Sequence, residues 1–150
     1  MDLFLSFDGR IARGQWWLGS IALTVIAIIL SAVVGLVFGA GMLGQLLALL
    51  VGLALLYPFL ALAVKRLHDR GHEAMPRVAI FFGPGILLSV MQTFGIGFRT
   101  EVVAGITVQT PGLLGGAVGI VSLVVAIWGL VELGILRGQE GDNRFGPPPG

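Results

Sequence analysis

With 150 residues, 56% of them hydrophobic and only 11% charged, the chain lacks the polar surface of a water-soluble domain, where about 25% of residues are charged. The absence of cysteine excludes disulfides and thiolate metal sites. The net charge of +1 matters less than its distribution, because the stretches 14–64, 78–98 and 102–131 carry no charged residue.

A helix crossing the hydrocarbon core needs roughly 20 mostly apolar residues, so the first stretch fits two spans and the others one each. The sequence predicts an all-α fold: an integral membrane four-helix bundle with short loops, a single domain over 1–150. The spans fall at about 15–37, 45–64, 78–94 and 112–136. The first stretch divides at 35-GLVFGAGMLG-44, where small residues allow a tight turn. Its apolar segment is far longer than the roughly 7–15 residues of a signal-peptide core, so an uncleaved first span is expected.

The segment 5-LSFDGRIARGQWWLG-19 offers Ser6 or Asp8 as a helix cap. It sets Arg10, Arg13 and Trp17 on one helical stripe, with Trp16 and Trp17 suited to the membrane boundary. The two arginines read either as snorkelling side chains or as half of a fixed polar cluster. The second span contains Pro58, expected to kink it, and ends in 64-VKRLHDRGHEAMP-76. Lys65, Arg66 and Arg70 complement the negative end of a helix, and Gly71 is a natural terminator. Asp69 is the anomaly. A carboxylate at a helix C-terminus is unfavourable unless a cation compensates it, so Asp69 is expected to pair with Arg66, Arg10 or Arg13.

His68 and His72 lie four apart, a spacing that would present two imidazoles to one metal on a helix. Gly71 ends that helix between them, and neither a metal nor a cofactor is expected. Glu132, an intramembrane acid, is expected to pair with Arg137, Arg10 or Arg13 in preference to a proton or ion role. Glycines and prolines in the tail 137–150 force a turn away from the last span. Phe145, beside Asn143 and Arg144, looks like an anchor that docks this tail on the bundle.

Cytoplasmic loops are enriched in Lys and Arg. With four spans, one side holds Arg10, Arg13, Lys65, Arg66, Arg70, Arg77, Arg137 and Arg144, and the other holds Arg99 alone. Both termini are therefore expected in the cytoplasm.

Three motifs in order, F-x-G-R-x-x-R-x-x-W-W, R-L-H-D-x-G and G-x-N-R-F-G-P-x-P, resemble the Domain of Unknown Function 805 family of small bacterial inner-membrane proteins. The matching residues are Phe7, Gly9, Arg10, Arg13, Trp16 and Trp17; Arg66, Leu67, His68, Asp69 and Gly71; and Gly141, Asn143, Arg144, Phe145, Gly146, Pro147 and Pro149. The resemblance covers essentially the whole chain and implies a cytoplasmic-membrane protein, with no established activity. Where the family often has S-G-W-W after the second motif, this chain has Glu73-Ala74-Met75-Pro76, so Pro76 is expected to start the third helix.

The favoured reading is a non-enzymatic membrane module. Its candidate polar cluster, Arg10, Arg13, Arg66, His68, Asp69, Asn143 and Arg144, clasps the termini and binds an anionic lipid headgroup or a membrane protein partner. The alternative is a small transporter or channel component, with breaks supplied by Pro58 and 83-GPG-85. An enzyme using His68 with Asp69 is disfavoured, because adjacent helical residues do not face each other. No nucleic-acid partner is expected. The Gly35/Gly39 and Gly115/Gly119 spacings allow close helix approach within the monomer or in a homo-oligomer.

Overall fold

Charge-free sequence becomes helix wherever an apolar surroundings leaves the backbone no partner but itself. The computed structural model describes residues 3–149, apart from the side chains of Ile106 and Thr107. The elements run α1 (Arg13–Phe38), α2 (Met42–Asp69), α3 (Arg77–Thr93), β1 (Phe98–Val103), β2 (Ile106–Pro111) and α4 (Leu113–Leu130). A π-helical turn, Val131–Ile135, continues α4. α1, α2 and α4 with its π turn are long and apolar enough to cross a membrane, and α3 is a shorter apolar helix. Large apolar side chains such as Leu18, Leu36 and Leu113 point outward and exposed. Such a surface suits hydrocarbon and not water.

The α1–α2 turn falls where small residues gather. Gly39 adopts φ 71°, in the left-handed region that closes a helix without strain. Gly44 packs so tightly beneath it that a Cβ there would collide with the Gly39 carbonyl oxygen. Pro58 and Pro84 both lie inside continuous helices, so neither Pro58 nor 83-GPG-85 interrupts its span.

The all-α expectation with short loops needs one correction. The connection from α3 to α4 is an antiparallel ribbon, β1 paired with β2, in which Phe98 faces Pro111 and Val103 faces Ile106. Ala104 and Gly105 turn the chain with φ 52° and 80°, and positive φ at both central residues matches the twist of a two-residue hairpin. β-Branched residues dominate 100–110 and favour strand. The charge-free stretch from 102 hid this by reading as the approach to a span.

α2 packs closely on α1, and α3 on α4, giving two helical hairpins. α4 meets α1 chiefly through the π turn. The buried core lies at that same end, where Ile11, Trp16, Leu62, Ala63, Leu67 and Leu133 pack together. Toward the β-ribbon, α2 and α3 diverge and leave a cleft of about 710 Å³.

Gly44→Ala is expected to lower thermal stability by about 1–3 kcal/mol, as overpacking does. Gly35→Ala, with nothing within 4 Å of a new Cβ, should be neutral or slightly stabilising; thermal unfolding of both variants in detergent checks the contrast.

Candidate functional site

The clasped end is built by four segments. The N-terminal segment lies along α2, where Tyr57 Oη donates to the Leu5 carbonyl at 2.9 Å and the buried Lys65 Nζ donates to that of Leu3 at 3.0 Å. α1 begins only after Ala12, whose N–H is accepted by Gln15 Oε1 at 2.9 Å. Neither Ser6 nor Asp8 caps it. Arg10 therefore precedes the helix and shares no helical stripe with Arg13 and Trp17, which corrects the expected arrangement.

α2 ends as its sequence demands. Gly71 takes φ 73°, its N–H donates to His68 O, and the His72 N–H reaches back to Leu67 O, each at 2.9 Å. This paired closure satisfies the last carbonyls of the helix. Asp69, one position inside the end, is 3% exposed. Its Oδ1 accepts from Arg10 Nε and Nη2 at 3.1 and 3.0 Å, and its Oδ2 from Arg66 Nη1.

The two arginines have further partners. Arg10 Nη1 donates to the carbonyls of Gly141 and Gly146 at 2.8 and 3.1 Å, and Nη2 to that of Gln139 at 2.6 Å. With its two bonds to Asp69, that makes five bonds for the five N–H donors of a guanidinium. Arg66 Nε donates to Leu133 O at 2.8 Å, and its Nη1 and Nη2 reach the carbonyls of Ile11 and Leu136. Arg13 does not reach Asp69; its Nη1 donates to Ile135 O, and Trp17 Nε1 donates to Gly134 O, both at 3.1 Å.

These contacts answer a specific need. A helix leaves its last four carbonyls without intrahelical partners, and at the close of the π turn the Leu136 N–H donates back to Val131 O at 3.1 Å. The carbonyls of Leu133, Gly134, Ile135 and Leu136 instead accept from Arg66, Trp17, Arg13 and Arg66 in turn. Two guanidinium charges at that negative helix end are electrostatically favourable as well.

The tail lies against the end of α2. Gln139 N–H donates to Asp69 O at 2.8 Å and Asn143 Nδ2 to His68 O at 2.9 Å. Phe145 stacks on the His68 ring with centroids 3.9 Å apart. His68 Nδ1 faces the Gly9 carbonyl at 3.2 Å, whereas His72 lies beside Glu132. The imidazoles thus have separate surroundings. Arg144 reaches outward to Glu73 at 2.9 Å.

Glu132 pairs with neither Arg137, Arg10 nor Arg13. Its Oε1 accepts from Arg70 Nε at 3.1 Å, with His72 Nε2 at 3.5 Å. Glu132 lies within the π turn, beside the end of α2. Burial, together with the nearby Arg77, holds the His72 imidazole below its ordinary pKa, against the opposing pull of Glu132.

Sequence reading missed Arg70 as the partner of Glu132, together with Gln139 and two glycines. A Cβ at Gly138 would run into the Asp69 carboxylate, and one at Gly134 would meet Trp16 and Trp17 at 2.8 and 2.9 Å. The only signal was the density of glycine after 133, which reads equally well as a loose tail.

This geometry defines a helical membrane protein whose termini are tied to one end of its helices by arginine. The chain belongs to the DUF805 family, described as a protein of unknown function, whose model matches residues 4–147. It is 30% identical to the uncharacterized protein YiiR of Escherichia coli K12, over 94% of this chain and 84% of the relative. The YiiR protein of Escherichia coli O157:H7 matches to the same extent. No solved structure matches.

Asp69→Asn leaves two buried guanidinium groups facing a neutral amide, and should cost about 3–5 kcal/mol, read as thermal unfolding in detergent. His72 should titrate below free imidazole in an NMR pH series, lower still in Glu132→Gln and higher in Arg77→Gln. Because folding depresses this pKa, the unfolded chain binds the proton more readily. The contribution of His72 to stability is thus full above the ordinary imidazole pKa and declines as pH falls below it.

Proposed function

We propose that the chain is a non-enzymatic, multi-pass module of the bacterial cytoplasmic membrane with both termini inside. In this reading the arginine–aspartate cluster is a structural lock and not the anion site itself. The observation that carries it is the complete use of Arg10: all five donors meet protein oxygens, and its side chain is 1% exposed, as is that of Arg66. A phosphate could recruit either only by breaking the lock. The outer arginines remain. Arg13 and Arg137 are exposed and Arg77 is half-buried, three charges suited to anionic headgroups at about 1 kcal/mol per charge.

The eight basic residues on the clasped side, against Arg99 alone at the ribbon, support the orientation. Since the natural chain has no cysteine, single labels report sidedness cleanly. In intact spheroplasts a membrane-impermeant maleimide should label Thr100→Cys on the β-ribbon and spare Glu140→Cys in the tail; the reverse pattern overturns the orientation. Native mass spectrometry should show phosphatidylglycerol retained by the wild type and largely lost from Arg13→Ala/Arg137→Ala. Equal retention by both would remove the headgroup role.

A further inference from the structure

At the end opposite the lock, the cleft between α2 and α3 has an uneven lining. Its length is apolar, with Leu49, Leu53, Leu56 and Ile86 along the walls. Gly52 and Gly85 also line it, and a Cβ at either position would meet nothing within 4 Å. Its ribbon end carries amides and hydroxyls, from Gln45, Gln92, Thr93 and Gln109. Among the described residues, no charged side chain lines it.

The polar groups divide into occupied and available ones. Thr93 Oγ1 donates to Ser89 O at 2.9 Å and Ser89 Oγ to Gly85 O at 3.0 Å, each back-bonding one turn along α3. Gln45 Nε2 donates to Ala40 O at 3.0 Å, and its Oε1 lies 3.5 Å from Gln109 Nε2. The Gln92 amide makes no hydrogen bond among the described residues. A primary amide at the edge of hydrocarbon gains by meeting a polar partner. The ribbon keeps charge away from it: Gln109 faces Thr100 across the strands, whereas Arg99 faces Thr110. Directly paired residues share one face and neighbours along a strand alternate, so Arg99 and Glu101 stand on the face opposite Gln109.

We propose that this cleft binds one lipid with an uncharged, hydrogen-bonding head, its tail along Leu49, Leu53 and Ile86 and its head at Gln45, Gln92 and Gln109. About 710 Å³ falls within the common range of ligand sites. The graded lining matches an amphiphile end for end, and the absence of a charged partner in the lining selects a neutral head of hydroxyl or carbonyl groups. The open floor at Gly52 and Gly85 admits a chain beside the helices. This site is separate from the outer arginines and does not depend on their role.

The test uses the full chain in nanodiscs of phosphatidylethanolamine and phosphatidylglycerol containing a trace of photoactivatable diacylglycerol. Illumination should place adducts within 45–56 and 81–92 in preference to α1. Gly52→Leu and Gly85→Leu fill the floor and should reduce that labelling to the level on α1, with an unchanged unfolding temperature. Gln92→Leu should lower diacylglycerol labelling about fivefold, the weight of one neutral hydrogen bond, while leaving labelling by a photoactivatable hydrocarbon unchanged. This exposed substitution carries the test if either glycine variant fails to fold. Even labelling of every lipid-facing helix would overturn the proposal. So would equal labelling of the cleft by photoactivatable phosphatidylglycerol, or cross-links joining two copies through α2 and α3.

Discussion

One carboxylate holds the clasped end together. Asp69 is buried between Arg10 and Arg66, and ions in such surroundings are stable only when geometry and additional hydrogen bonds repay their desolvation. A single acid does not neutralise two guanidinium groups. The balance comes from backbone carbonyls: those of the tail and the N-terminal segment, and those exposed at the end of α4. Remove the carboxylate and the arginines oppose each other; remove the carbonyls and both retain unsatisfied donors. The tail, the first segment and the end of the last helix are thus interdependent parts of one lock.

Several motif residues acquire separate physical roles on this basis. Arg13, Trp17 and Arg66 complete the terminal carbonyls of the last helix, while Arg10 gathers those of the tail. Gly71 releases α2 into the turn, and Asn143 and Phe145 fasten the tail through the backbone and ring of His68. Lys at position 10 could keep at most three of the five bonds that Arg10 makes, since an ammonium has three donors against five and lacks the planar fork.

Much of this was legible because hydrocarbon imposes simple rules. Long charge-free runs announced the helices, and the small residues of 35–44 announced their first turn. Asp69 stood out because its sign was wrong for its place at the end of α2. What stayed hidden depended on tertiary register. Glu132 pairs with Arg70 from within the π turn, and nothing local in 131-VELGI-135 distinguishes that turn from α-helix. Arg13 joins the clasped end through a carbonyl 122 positions away, and carbonyls carry no sequence signal. The β-ribbon was the opposite case: its β-branched residues were visible, yet hydrophobicity alone fitted a membrane approach.

The lock also sets what the rest of the molecule can do. The described charge-assisted contacts of the helical hairpins gather at one end, with the core of Trp16, Leu62, Leu67 and Leu133 beside them. Toward the ribbon, α2 and α3 stand apart with apolar groups and glycines lining the gap, and dispersion with lipid replaces dispersion with protein at little cost. Separation of the helices is therefore inexpensive at the ribbon end and expensive at the clasped end. A cleft can widen there to admit a hydrocarbon chain while the termini stay fixed, because the groups that would have to part are not the ones the buried charges hold.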